Sequence, residues 1–207
     1  MLSLRAKKIV LATGVAGTLF LLVAIFFVSG QSVQKKADNN LAAVATIKKG
    51  SLQEYANLAL PVQLKIPKIN IDTAIEHVGL TSSGAMDVPK DPTQVAWFNH
   101  GPRPGEVGSA VISGHYRWKN NTPVIFNDLH LLQKGDRVSV VDAAGVTTTF
   151  LVREVRVYGL HDNAAGVFTS SDGKAHLNLI TCQGVWDNVK KSYLQRLVVF
   201  TDKEITN

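Results

Sequence analysis

Residues Ile9 to Val28 form 20 consecutive positions without a charge, in a chain of 207 residues. A helix rising about 1.5 Å per residue over that length matches the hydrocarbon thickness of a bilayer, so the run cannot belong to an ordinary water-soluble core. Arg5, Lys7 and Lys8 stand before it and no acid does. Positive charge is retained on the cytoplasmic side, so residues 1–8 are expected inside the cell, 9–28 in the membrane as a single-pass signal anchor, and the rest outside. A cleaved signal peptide usually has an apolar stretch of about 7–15 residues followed by a small-residue cleavage site, and neither fits here. Residues 29–59 are polar, basic and rich in Ala, Asn and Lys, and read as an extracellular stalk. Residues 60–207 are then the exported domain.

The formal charge of +6 invites a nucleic-acid reading, but its distribution removes that class. Residues 1–49 hold seven basic side chains and one acid, whereas residues 50–207 hold 15 of each sign. A domain without net charge lacks the basic excess that phosphate binding requires. The chain has one cysteine, Cys182, so the exported domain has no internal disulfide framework. Its thiol is a core filler, a site for intermolecular pairing or a reactive group.

From about Leu60 the texture is that of short β-rich runs separated by Gly, Pro, Asn and Asp. The runs predict strands at 62–66, 74–78, 109–113, 137–141, 147–157, 176–181 and 196–200. Asp142-Ala-Ala-Gly145 lies between two of them as a hairpin turn would, and Lys134-Gly135-Asp136 precedes another. Helical patterning is weak, with one short helix expected over 127–132. Many short strands and few helices predict a mainly β barrel or sandwich.

Three residues stand where chemistry is deliverable. Cys182 closes the run His176-Leu-Asn-Leu-Ile-Thr181 and is followed by Gln183-Gly184, which predicts a thiol at a sheet rim. A buried structural cysteine gives the same local pattern. His115 closes the run Gly108-Ser-Ala-Val-Ile-Ser-Gly114, and the other five histidines have no comparable position. His176 shares a strand face with Cys182 but lies roughly 20 Å from it in an extended chain, too far for proton transfer. Arg196 begins Arg196-Leu-Val-Val-Phe200, where period-two alternation puts it on one face with Val198 and Phe200. A charge on an apolar face either reaches water at a strand end or faces a cleft where negative charge develops. Thiol, imidazole and guanidinium together describe acyl transfer: a nucleophile, a proton carrier and an oxyanion partner.

These segments, taken in order, resemble the sortase family over roughly residues 62–200. Leu179-Ile-Thr-Cys182 resembles the family's Thr-Leu-x-Thr-Cys segment, with Asn178 at the first Thr. Ser113-Gly-His115 and Tyr193-Leu-Gln-Arg196 resemble the segments that supply its histidine and arginine. Lys65-Ile-Pro67, Gly84-Ala-Met-Asp-Val-Pro89, Val95-Ala-Trp-Phe98 and Gly101-Pro-Arg-Pro-Gly105 add to the match. The last of these, with the Cys182-Gln-Gly184 ending, is nearer the actinobacterial-type classes E or F than the founding class.

The resemblance implies an eight-stranded sortase-type β-barrel with one or two short helices. It also implies a cysteine transpeptidase with Cys182, His115 and Arg196 as catalytic residues. Its substrates would be secreted proteins bearing an Leu-Pro-x-Thr-Gly-like sorting signal. Its acceptors would be amines of a peptidoglycan precursor or of a pilin lysine. Thr181, Gln183, Trp186, Trp97 and Trp118 are candidates for the substrate groove, and neither a metal nor a cofactor is implied. A non-catalytic surface module using a degenerate copy of the same fold is the alternative.

Overall fold

A computed structural model describes residues 58–118 and 124–205. The apolar span, the residues before it and nearly all of the stalk lie outside the described residues. Eight strands form the domain: β1 (Pro61–Ile66), β2 (Ile71–Val78), β3 (Val95–Phe98), β4 (Gly108–Gly114), β5 (Arg137–Asp142), β6 (Thr147–Gly159), β7 (Ala175–Asp187) and β8 (Ser192–Lys203). They close into one barrel in the order β1-β2-β3-β4-β7-β8-β6-β5. Closure leaves no unpaired edge, which suits a sheet built of short segments. β2 with β3 and β4 with β7 pair in parallel, and the other neighbours are antiparallel.

Strand alternation sorts the side chains into two apolar layers. Ala110 and Ile112 of β4, Leu177 and Leu179 of β7, and Leu197 and Val199 of β8 point into the barrel with Leu64, Val138 and Phe150. The intervening positions, Val111, Val198 and Phe200, form an outer cluster with Tyr158 and Val167. This outer cluster is covered by the only α-helix among the described residues, α1 (Ala165–Phe168), in the β6–β7 connection.

The barrel and the predicted strands agree in position, with informative differences. β3 has only four residues and carries no period-two signature, because all of Val95, Ala96 and Trp97 are buried. The Asp142 turn is present as expected, with Asp142 Oδ1 accepting the backbone N–H groups of Ala144 (3.0 Å) and Val146 (2.8 Å). The expected helix at 127–132 is a single 3-10 turn, Leu129–Leu131. Cys182 does not end its strand. β7 continues to Asp187, and β8 begins at Ser192, four residues before Arg196. The segment between Cys182 and Arg196 is therefore mostly hairpin. The register shifts between Gln183 and Trp186, where Gly184 takes φ +86°, a left-handed conformation that glycine adopts without a Cβ clash.

The end of β4 is packed too closely for a side chain at Gly114. A Cβ there would lie 2.5 Å from Cδ2 of Phe126, whose ring is fully buried. Gly114→Ala is expected to destabilise the domain by about 1–3 kcal/mol, the usual range for over-packing, as measured by chemical denaturation. Unaltered stability would mean that Phe126 is not seated against the end of β4.

Candidate active site

The outer faces of β4, β7 and β8 form a ladder of matched residues. Ser109 pairs with His176, Val111 with Asn178 and Ser113 with Ile180 across β4 and β7. Across β7 and β8, His176 pairs with Asp202, Asn178 with Phe200, Ile180 with Val198, and Cys182 with Arg196. His115 follows the end of β4 directly, two residues beyond Ser113, and Cys182 stands two residues beyond Ile180 in β7. The buried Thr181 hydroxyl donates to the Gly114 carbonyl at 2.8 Å and so ties the two strand ends together.

Cys182, His115 and Arg196 all line one cleft of about 230 Å³. Its walls come from Ala85–Val88 in the β2–β3 connection, Phe168 of α1, and Ile180 in β7. Each of the three side chains is half-buried. The His115 ring is held by a 2.9 Å hydrogen bond between Nε2 and the Pro89 carbonyl, and Trp118 stands edge-on to it at 5.0 Å between centroids. A carbonyl only accepts, so Nε2 carries the hydrogen and Nδ1 is left for proton exchange. Arg196 is steadied by its own strand: Nη1 donates to the carbonyls of Tyr193 and Gln195, both at 2.9 Å. Burial pushes the Cys182 thiol above its ordinary pKa, and the positive charge of Arg196 partly offsets this. The resting sulfur is therefore mainly protonated at neutral pH and needs a proton acceptor to become a nucleophile.

The groove candidates separate. Trp118 and Trp186 are surface residues beside the site, and Trp186 packs edge-on against Tyr193 at 5.2 Å. Gln183 lines a smaller pocket of about 110 Å³ on another side of Cys182, with Tyr116, Asn127 and His130. Thr181 borders both cavities, but its hydroxyl is buried and engaged on Gly114, so it acts as a strut. Trp97 is not a groove residue: it is 3% exposed, belongs to the barrel core and donates Nε1–H to the Pro102 carbonyl at 3.0 Å. Aromatic residues in a short strand look alike in sequence whether they face a cleft or a core.

Sequence reasoning missed Met86, Phe168, Tyr116 and Tyr193. Tyr116 and Tyr193 adjoin the histidine and arginine segments and could have been suspected. Their rings meet edge-on at 5.5 Å. Tyr193 stands near enough to Cys182 that a thiolate there would raise its pKa, adding to the larger effect of burial. Phe168 sits in a polar connection with no local pattern to mark it.

Comparison with known proteins follows the same lines. The family model described as Sortase domain matches residues 64–204. Among solved structures, a lid mutant of sortase A from Corynebacterium diphtheriae superposes with a TM-score of 0.54 at 21% identity, covering 73% of each chain. Sortase C1 of Streptococcus agalactiae gives 0.54 at 23% identity over 70% of this chain and 68% of that one. Sortase C-1 of Actinomyces oris gives 0.54 at 23% identity over 70% and 72%. At these identities the likeness is one of fold. No curated protein is similar enough to count as a match.

The charge on Arg196 and the protonation of Cys182 are linked, which gives a test. Alkylation by iodoacetamide follows the thiolate, so its rate is expected to rise with pH through a midpoint above that of an ordinary thiol. Arg196→Met removes the charge that favours the thiolate and should move the midpoint further up the pH scale. A midpoint unmoved, or moved down, would mean that the guanidinium does not act on the sulfur.

Proposed function

Since the chain belongs to the sortase family, whose model spans residues 64–204, we propose that it is a membrane-anchored cysteine transpeptidase. Its substrates are secreted proteins carrying a C-terminal sorting signal of the Leu-Pro-x-Thr-Gly kind. Its products are their conjugates to an amine of a cell-wall precursor or a pilin lysine. One observation carries the reading: Cys182, His115 and Arg196, distant in sequence, line the same cleft.

The chemistry follows from what each group can do. His115 accepts the thiol proton at Nδ1 as Cys182 Sγ attacks the carbonyl carbon of the scissile Thr–Gly bond. Negative charge develops on the carbonyl oxygen, and Arg196 supplies a permanent positive charge and hydrogen-bond donors for it. Collapse breaks the C–N bond, the imidazolium returns its proton to the departing amine, and a thioester remains on Cys182. An incoming amine attacks the thioester while His115 takes its proton. Collapse then releases the new amide, and the thiol is restored.

The partly apolar cleft suits an extended peptide. Met86, Val88, Phe168 and Ile180 provide surface for the Leu-Pro end of the signal, which no charged group would favour. The apolar span 9–28 serves as the anchor, leaving the domain outside the cell, where an export signal places its substrates.

The test is direct. The full chain in detergent micelles, incubated with a set of sorting-signal peptides, should show by mass spectrometry an acyl adduct at Cys182 equal to the peptide less its C-terminal fragment. Cys182→Ala should give neither adduct nor cleavage while melting as the parent does. A folded parent protein that forms no adduct with any peptide would overturn the proposal.

A further inference from the structure

Phe168 and its helix α1 lie in a connection of 15 residues, 160–174, most of which are exposed. A segment so lightly packed needs specific attachments to present a side chain reproducibly. Val167 is fully buried in the outer cluster, and Phe168 packs edge-on against Phe98 at 5.8 Å. The Lys174 carbonyl accepts the Gly108 N–H of β4 at 2.9 Å, and further attachments come from β7, on the same strand face that carries Cys182.

The first is Asn178, 1% exposed, whose Nδ2 donates to the Val167 carbonyl at 2.7 Å. This is the position at which the sequence departs from the Thr of the family's segment, and the longer amide reaches α1 directly. The second is His176, 3% exposed, whose Nδ1 lies 2.8 Å from Asp202 Oδ1 of β8 and whose Nε2 lies 3.0 Å from Asp172 Oδ1. Both bonds form when both ring nitrogens carry hydrogen. Asp172 also accepts the Lys174 backbone N–H at 3.0 Å and the Ser170 hydroxyl at 2.8 Å, so it gathers the end of the connection onto the ring. Asp202 is shared with Arg153 at 3.0 Å. Two carboxylates thus face one guanidinium and one imidazole ring.

We propose that His176 and Asn178 are positioning residues that clamp the β6–β7 connection onto β7. The clamp sets Phe168 as a wall of the cleft and thereby determines how tightly the apolar end of the donor peptide is held. His176 takes no part in proton transfer to Cys182. This rests on the transpeptidase reading for its substrate, while the clamp itself is a property of the fold. The inference assigns donor affinity to residues two and three rungs down the ladder from the sulfur, and leaves the chemical step with the top rung.

The test uses the full chain in micelles with a donor peptide that the parent protein cleaves. Asp172→Ala and Asn178→Ala should each raise KM about tenfold, the order expected for losing one hydrogen bond that fixes the wall, with kcat little changed. Iodoacetamide should label Cys182 in both variants at the parent rate. Asp172→Glu should recover much of the parent KM, and amide hydrogen exchange at residues 165–169 should quicken in both alanine variants. Asp172 is largely outside the core, so Asp172→Ala tests the clamp even if Asn178→Ala folds poorly. Parent KM values, a fall in kcat at constant KM, or unchanged exchange would each overturn the clamp. A parent protein that forms no acyl adduct would instead remove the transpeptidase reading, and the exchange result would still judge the attachment.

Discussion

Everything at the site depends on the register of β7 between β4 and β8. β4, β7 and β8 are bonded so that His176, Asn178 and Ile180 of β7 each have one neighbour on either side, and Cys182 pairs with Arg196. A slip of one residue in either pairing would turn the outer set inward and exchange Cys182 for Thr181 on the cleft side. Inner-face hydroxyls resist such a slip: Thr181 holds the Gly114 carbonyl at 2.8 Å, and Thr201 holds that of Leu177 at 2.7 Å. A slipped pairing would strand these buried groups without partners as well as exposing Leu177, Leu179 and Val199. The geometry of the candidate site is therefore stabilised by the same burial that stabilises the barrel.

The ladder also explains how one strand serves two purposes. Its upper end presents Cys182 opposite Arg196, where a thiol kept protonated by burial faces a fixed cation. Its lower end presents His176 and Asn178 to the connection that roofs the outer cluster. Between them Ile180, Val198 and Val111 give an apolar floor. Candidate nucleophile, floor and wall supports all lie along β7, so the wall is positioned relative to the sulfur by strand geometry more than by loop conformation.

Much of this was legible in the sequence because strand alternation is a local property. The runs around Ile112, Leu179 and Val199 mark their strands, and the placement of Arg196 with Val198 and Phe200 on one face holds. What was not legible depends on contacts between segments. β3 is buried throughout and carries no alternation. The extension of β7 beyond Cys182 requires a glycine bulge and a partner strand, and neither is implied by Gln183-Gly184 alone. Nothing local distinguishes a core tryptophan such as Trp97 from one that lines a groove. The carboxylate partners of His176, 4 and 26 residues away, leave no local mark in the sequence.

In the proposed reaction an acyl group on Cys182 lies between His115 and Arg196. A crystal structure of the protein with a sorting-signal peptide trapped on the sulfur measures this directly. The carbonyl oxygen is expected about 2.7–3.1 Å from an Arg196 guanidinium nitrogen, with His115 Nδ1 turned toward the sulfur. An acyl oxygen held by other groups, with Arg196 still turned to the Tyr193 and Gln195 carbonyls and the imidazole facing away, would contradict it.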